Sequence, residues 1–131
     1  MTLLCRIRQC RLANLPEEVV RQRLLSFLID SLGYPASLIQ VEAAIPQVPR
    51  RLDILCSAPG PRPLLLVECK AVPITLEVER QVIGYNVHVK APFIVLANAS
   101  ELKTGWVQGD KLLFSPGIPS FTEAQRTAFP L

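Results

Sequence analysis

Three charged residues interrupt two apolar stretches near the middle of the 131-residue chain. Asp53 lies within the stretch 51–56, and Glu68 and Lys70 end the run that begins at residue 64. Charged groups are costly to bury unless they find a counter-charge or a metal ion. Carboxylate oxygens suit Mg²⁺ or Mn²⁺, and a metal held in this way can activate water and offset charge on a phosphoryl oxygen. The pattern therefore predicts a metal-dependent site for phosphodiester hydrolysis.

A strand, a turn and a second strand would bring these side chains together. Side chains two apart on a strand project to the same face, so Glu68 and Lys70 point together. The segment rich in proline and glycine between 51–56 and 63–69 predicts a hairpin of two strands. Such a hairpin can place Asp53 across from Glu68. Lys70 would then stabilise developing charge or position the attacking water.

Other interpretations of these residues stay open at this point. Glu68 and Lys70 could form an ion pair at a strand end, and spacing alone does not separate this from a metal site. The Glu-x-Lys pattern recurs at Glu101 and Lys103 without a preceding apolar run, and we interpret that copy as unrelated to catalysis. A Cys69 nucleophile is disfavoured, because its side chain would face away from Lys70 and the chain holds a single histidine as a base.

Composition and charge are typical of a globular protein without membrane segments. With 50% hydrophobic and 19% charged residues, the chain is expected to form one domain over residues 1–131. Its apolar runs are too short to cross a bilayer and its start lacks the order of a signal peptide, so we expect a cytoplasmic protein without membrane contact. A net charge of +3 is low for unaided DNA binding, which favours an oligomer or an accessory partner.

The surrounding sequence predicts helices and strands in alternation. A proline near the first turn and Gly33 past the last turn bound one helix, and Thr75 can cap another. This order predicts an α/β fold of three layers, with a mixed central sheet flanked by helices. The predicted elements are a strand at 3–7, a helix at 17–32, strands at 37–45, 51–56 and 63–69, a helix at 76–90, a strand at 93–97 buried on both faces, a hairpin of 106–108 with 111–114, and an extended tail.

Polar pairs on the two predicted helices could reach the same site. Glu18 and Gln22 are four apart and share a helix face, although acids in a first turn are expected from the helix dipole alone. Gln81 and Tyr85 also share a face, with the alternative that Tyr85 is a core aromatic and Gln81 a surface residue. From the residues alone, neither pair receives a role.

Several blocks of the sequence, in order, resemble a known family. They look like the nuclease-type N-terminal domain of type I restriction enzyme R subunits, and more closely like the small stand-alone bacterial proteins that carry this domain. The resemblance covers about residues 14–121. The blocks are Asn14–Gln22, Leu32–Pro35, Leu38–Glu42, Arg51–Ile54, Leu65–Lys70, Gln81–Asn86 and Lys90–Asn98.

The resemblance implies a PD-(D/E)XK nuclease fold in which Asp53, Glu68 and Lys70 are catalytic. It implies that Asp53 and Glu68 hold Mg²⁺, with Mn²⁺ as an alternative. It also promotes one acid of the first helix to a supporting ligand, and Glu18 is preferred over Glu17. The expected function is that of a metal-dependent DNA endonuclease.

The resemblance also gives Gln81 and Tyr85 a role at the DNA backbone beside the site. The chain departs from the family at Ala97-Asn98-Ala99, where Thr-Asn-Gly is typical, which leaves the conformation of that loop open. The sequence contains no Gly-x-x-x-x-Gly-Lys-Ser/Thr loop, so any ATP-driven motor would come from a partner. The expected partners are DNA and either a second copy of the chain or a restriction or helicase subunit. The alternative function is a catalytically silent nucleic-acid-binding or assembly module with the same fold.

Overall fold

The computed structural model describes residues 2–4, 7, 11–13, 16–108 and 111–130. Within these ranges, the order from residue 16 onward is a helix, three strands, a helix, a strand and a hairpin, as predicted, followed by a further helix. The strands are β1 (Thr2–Leu4), β2 (Arg11–Ala13), β3 (Ile39–Ala43), β4 (Leu52–Ala58), β5 (Arg62–Cys69), β6 (Phe93–Ala97), β7 (Leu102–Gln108) and β8 (Lys111–Ser115), and the α-helices are α1 (Pro16–Ser26), α2 (Leu76–Val89) and α3 (Phe121–Ala128).

Six strands form one mixed sheet in the order β3-β4-β5-β6-β7-β8, and β1 pairs with β2 separately. Neighbouring strands of the large sheet are antiparallel except β5 and β6, which are parallel. A parallel pair needs a long crossover connection, and α2 lies in the connection between β5 and β6. The mixed sheet with helices confirms the predicted α/β class.

Helices cover both faces of this sheet. One core cluster joins side chains of α1 and α3 to residues such as Leu65 and Val95. The other joins side chains of α2 to residues such as Leu66 and Ile94. Because neighbouring residues of a strand point to opposite faces, the continuous apolar runs of β5 and β6 fill both clusters. The helices and the sheet are therefore layered as the sequence predicted.

The first helix runs through the predicted range and ends in a wider turn. A π-helical segment, Phe27–Ser31, follows α1, and the Leu32 N–H donates to the Phe27 carbonyl at 3.1 Å. Gly33 follows with a φ of 78°, which a glycine adopts without strain. The apolar residues at positions 20, 24, 27, 28 and 32 predict one helix stripe that faces the core, and for Phe27 this prediction is wrong. Its side chain is 43% exposed, because the buried face is centred on Leu24, Leu25 and Leu28.

The segment after β8 is helical, so the prediction of an extended tail is wrong. The Ser120 hydroxyl accepts from the Glu123 N–H and the Glu123 carboxylate accepts from the Ser120 N–H, which forms a capping box at the start of α3. Ala124 is fully buried, and the Phe121 ring packs against Tyr34. Pro116 and Pro119 precede this cap, so they disfavour helix formation only in the segment before residue 120.

Several predicted bounds shift by a few residues. β3 is shorter than the predicted 37–45 and follows a 3₁₀ turn at Ala36–Leu38. β7 begins at Leu102, four residues before the predicted start, and the Gly109-Asp110 turn lies outside the described residues. The predicted strand 3–7 overlaps β1, and its residues 5 and 6 also lie outside them. No helix within the described ranges has the length and apolar character that a bilayer span requires.

Candidate active site

The hairpin of β4 and β5 brings Asp53 and Glu68 together. Its antiparallel register pairs Ile54 with Val67, so one further step along the ladder sets Asp53 opposite Glu68. The backbone N–H of Cys69 donates to Asp53 Oδ2 at 2.7 Å. This bond holds the Asp53 carboxylate against the end of β5. The predicted hairpin is confirmed.

Glu68 is a buried carboxylate without a hydrogen-bond donor. Its side chain is 1% exposed, and neither oxygen has a hydrogen-bond partner among the described residues. Arg50 Nη2 lies 3.3 Å from Glu68 Oε2 and forms an ion pair with it. The pKa of Glu68 is raised to about 8, chiefly by burial and next by the charge of Asp53. The charges of Arg50 and Lys70 act in the opposite direction. A protonated Glu68 carboxyl could donate to the nearby Asp53 carboxylate, and this possibility acts to raise the pKa of Glu68 further.

Lys70 follows directly after β5. Its backbone N–H donates to the Ala97 carbonyl at 2.8 Å, so the end of β6 fixes its position. Its side chain is partly buried, and its charge is close enough to lower the pKa of Glu68. Glu68 forms its ion pair with Arg50, and no ion pair between Glu68 and Lys70 is present in the described part of the chain. The alternative that Glu68 and Lys70 form a simple ion pair with each other therefore does not hold for the described residues.

Cys69 lies between Glu68 and Lys70 in the sequence. Its side chain points to the other face of the sheet, into the core cluster that α1 and α3 share. Burial raises the pKa of the Cys69 thiol above its ordinary value, and the charges of Asp53 and Glu68 act in the same direction. A thiol that stays protonated is a poor nucleophile. The structure therefore supports the expectation that Cys69 is not catalytic.

A buried arginine on α1 joins the acidic residues of three elements. Arg21 donates through Nε to Glu18 Oε2 at 2.8 Å and through Nη2 to Glu18 Oε1. Its Nη1 lies 3.5 Å from Asp53 Oδ1, and its Nη2 lies 3.6 Å from Glu42 Oε1. Burial alone would lower the pKa of Arg21, but the hydrogen bonds and charge of Glu18, with Asp53 and Glu42, raise it. The guanidinium therefore stays charged.

Sequence reasoning did not identify Arg21 or Arg50 as parts of this site. The three-residue spacing of Glu18 and Arg21 on a helix was a readable signal for their pairing. The contacts of Arg21 with Asp53 and of Arg50 with Glu68 depend on the packing of separate elements, and no local pattern reports them.

The first-turn acids of α1 differ in their surroundings. Glu18 is buried and accepts from Gln22 Nε2 at 3.1 Å, so the predicted shared face of Glu18 and Gln22 is confirmed. Glu17 is exposed. Both line a cleft of about 480 Å³ at this end of the sheet. The other lining residues are Arg21, Glu42, Arg50, Arg51 and Asp53.

The donor set suits a magnesium ion that keeps most of its water. No three His, Cys, Asp or Glu side chains gather into a ready-made metal cluster in the part of the chain that the structure describes. Mg²⁺ needs only one or two protein carboxylates, and Asp53 and Glu68 supply two. The oxygens of Glu68 have no donor, so a cation would replace interactions that burial has removed. Arg21 bridges Glu18 and Asp53, and the role of Glu18 as a supporting ligand stays a prediction.

Gln81 and Tyr85 lie on α2, over the same face of the sheet as Glu68. That helix packs on Leu66 and Leu96, and Glu68 shares their face because it follows Leu66 by two and pairs with Leu96. Tyr85 is partly buried against this cluster, as a core aromatic would be, and Gln81 is exposed. Their contact with DNA stays a prediction.

One family model matches the chain over residues 16–116. The family is described as the type I restriction enzyme R protein N terminus (HSDR_N). The matched range contains every residue of the site described above, and it confirms the resemblance found in the sequence. No curated protein sequence matches the chain.

Proposed function

Because the chain belongs to the type I restriction enzyme R protein N-terminal family, we propose that it is a metal-dependent deoxyribonuclease with a PD-(D/E)XK architecture. The observation that carries this proposal is the Glu68 carboxylate, which is buried beside Asp53 without a hydrogen-bond donor. Two such carboxylates repel each other unless a proton or a cation lies between them. A nuclease site would use this arrangement to bind Mg²⁺.

Asp53 and Glu68 would hold the metal, with Mn²⁺ as an alternative to Mg²⁺. When bound, the ion would supply a more acidic water and would offset charge on a phosphoryl oxygen. The Cys69 N–H orients Asp53 before any ion arrives, and the burial of Glu68 keeps solvent from its oxygens. The chain therefore presents both ligands at little further ordering cost.

Lys70 would act on the reacting phosphate or on the attacking water. Its ammonium has no ion pair among the described residues, so its donors are available to substrate. The Lys70–Ala97 backbone bond fixes the base of its side chain. Such a fixed cation stabilises charge that develops in the transition state.

Glu18 and Arg21 would support the site from α1. Arg21 holds Glu18 in a bidentate pair and contacts Asp53, so it reduces the repulsion among the acids. Glu18 would then reach the metal through its water shell. In this arrangement Arg21 is a positioning residue and makes no contact with the substrate.

DNA would enter along the cleft in front of Asp53. Arg50 and Arg51 line that cleft and are exposed, and arginine suits bidentate contact with phosphate. Gln81 and Tyr85 would contact the strand being cut from the side of α2. Other subunits of a restriction system are the further partners that this family suggests.

The direct test is cleavage of supercoiled plasmid DNA. We expect nicking in Mg²⁺ or Mn²⁺, no nicking in excess chelator, and no nicking by Asp53→Asn with either metal. Far-UV circular dichroism would verify that the variant is folded. Cleavage by Asp53→Asn at the parental rate would disprove the assignment.

A second candidate function is a silent nucleic-acid-binding module. The observation that favours it is the placement of two arginines on the acids, because Arg50 pairs with Glu68 and Arg21 contacts Asp53. These cations would serve as permanent substitutes for a metal. Calorimetric titration separates the two functions, since the module would bind DNA but neither Mg²⁺ nor Mn²⁺ at millimolar concentrations.

A further inference from the structure

The outer face of α2 exposes three large aliphatic side chains in a row. Leu76, Ile83 and Val87 are 59%, 41% and 65% exposed. Their spacings of seven and four place them on one stripe of the helix. The stripe lies away from the buried Val82 and Val89, and the core clusters of the described residues do not include it.

The stripe is open to close approach and is bordered by charges of both signs. A Cβ added at Gly84 would meet nothing within 4 Å. On one border Glu77 is followed eleven residues later by His88, and on the other Glu79 is followed eleven residues later by Lys90. One border therefore has an acid near the start of α2 and the His88 imidazole near its end, and the other has an acid near the start and Lys90, which directly follows the helix with a left-handed φ of 60°.

We propose that α2 binds α2 of a second copy of this chain in an antiparallel, two-fold arrangement. A crossing near Ile83 and Gly84 would set Glu77 beside His88 of the partner subunit, and Glu79 beside the partner's Lys90. The apolar stripes would pack along the axis, and the helix dipoles would oppose each other favourably. A parallel pair would instead place acid against acid, so the charge pattern selects the antiparallel orientation.

Two charged residues, Glu79 and Arg80, affect the proposed contact between the two α2 helices. Glu79 already pairs with Lys103 at 3.3 Å and its side chain is 12% exposed, so the partner's Lys90 would reach only the exposed part of that carboxylate. Arg80 lies on the stripe between Leu76 and Ile83, and it would keep its guanidinium in water by extending past the contact. We therefore expect Arg80 to weaken the dimer that its neighbours stabilise.

The contact is small. One helix of 14 residues forms it on each side, which places it at the low end of specific interfaces. We therefore expect a weak dimer whose fraction depends on protein concentration. Such a dimer doubles the positive charge available to DNA, which addresses the low net charge of +3, and it does not depend on whether the site cuts DNA.

The test is sedimentation velocity of the full chain over increasing concentration. The parent should shift from monomer to dimer, and Ile83→Glu and Val87→Glu should each weaken dimerisation by about tenfold or more, since each buries an unpaired carboxylate. Leu113→Glu is the matched control, because Leu113 is 49% exposed on β8. The side chains of Ile83 and Val87 are already partly exposed in the parent. Circular dichroism checks that the variants fold.

Two further variants test the register. His88→Glu should weaken the dimer, and the double variant Glu77→Lys with His88→Glu should restore it, because the pair is then re-formed with its signs exchanged. Arg80→Leu should tighten the dimer.

Three results would overturn the proposal. They are a parent that stays monomeric at every concentration, a dimer that Ile83→Glu and Val87→Glu leave intact, and a monomeric parent that floats with phosphatidylcholine and phosphatidylglycerol vesicles. The last result would assign the stripe to a lipid surface.

Discussion

Two Glu-x-Lys segments in this chain have the same residue types and spacing, yet the structure gives their glutamates opposite surroundings. Glu68 is 1% exposed and has no hydrogen-bond partner among the described residues. Glu101 is exposed, and one of its oxygens accepts from the Ile74 N–H at 3.1 Å and from Asn98 Nδ2 at 2.6 Å. Burial raises the pKa of Glu68, whereas hydrogen bonds lower the pKa of Glu101.

The two lysines differ in the same way. Lys103 Nζ lies 3.3 Å from Glu79 Oε2 and its ammonium lies over the Phe114 ring. Lys70 has neither contact, and its charge acts on Glu68. The charges of the second segment are satisfied by hydrogen bonds and an ion pair, whereas Glu68 has one ion pair, with Arg50, and no hydrogen bond among the described residues, which leaves interactions for a ligand. The spacing of residues alone does not distinguish these outcomes.

The largest difference is expected in catalysis. Lys70→Ala should lower the rate of Mg²⁺-dependent plasmid cleavage by about a hundredfold to a thousandfold, because it removes a fixed cation beside the reacting phosphate. Lys103→Ala, the matched control, should cleave at close to the parental rate. Equal rates for the two variants would show that the segments do not differ in function.

Without metal, removing the charge of the glutamate should have opposite effects in the two segments: it should raise the free energy of unfolding at Glu68 and lower it at Glu101. The pKa of Glu68 is higher in the folded state, so its contribution to stability is present at low pH and is lost as the pH rises through about 8. Glu68→Gln should therefore raise the free energy of unfolding by about 2 kcal/mol at a pH of about 9 and should change it little at a pH of about 5.

The matched variant at the second segment is Glu101→Gln, which weakens the two hydrogen bonds that Glu101 Oε2 accepts and should lower stability slightly at both pH values. Urea unfolding measures both variants. A Glu68→Gln variant that is less stable than the parent at the higher pH would contradict the description of Glu68 as a buried charge that its ion pair with Arg50 compensates only in part.

Magnesium should raise the thermal midpoint through the segment that contains Glu68 and not through the segment that contains Glu101. Ligand binding to the folded state raises the thermal midpoint, and we expect a rise of about 2–5 °C in millimolar Mg²⁺ for the parent and for Glu101→Gln. Asp53→Asn and Glu68→Gln should abolish the rise, as measured by differential scanning fluorimetry. A rise that survives in both would place the metal elsewhere.

The smallest effect is expected in the loop that joins β6 to the second segment. Asn98 Oδ1 accepts from the N–H groups of Ser100 at 2.9 Å and Glu101 at 2.7 Å, so this side chain shapes the loop after β6. Asn98→Ala should lower the free energy of unfolding by about 1 kcal/mol. Its cleavage rate should stay at the parental value, and a large loss of activity would connect this loop to the site.

The sequence predicted the elements with strong local signals and missed those that depend on packing. Thr75 caps α2 through a bond from the Val78 N–H, as expected from its residue type. The helix α3 also had a local signal, since Ser120 and Glu123 have capping-box spacing, but the prolines around it favoured an extended interpretation.

The same division holds within the candidate site. Asp53 and Glu68 face each other because a hairpin is a local structure, and the hairpin was readable from its turn. The ion pairs of Arg50 and Arg21 join elements that are distant in sequence or separated by a loop. Their positions follow from how α1 and the sheet pack together, which one sequence does not reveal.

The parallel pairing of β5 with β6 has a consequence for how the chain acquires its structure. The β4–β5 hairpin can form early because its contacts are local, whereas β6 must wait for a crossover of more than twenty residues. In a β4–β5 hairpin without β6, Glu68 would lie on an open edge, where water would favour its ionised form. Refolding at neutral pH should therefore include a late uptake of protons, as the last central strand closes over a carboxylate that water had kept ionised.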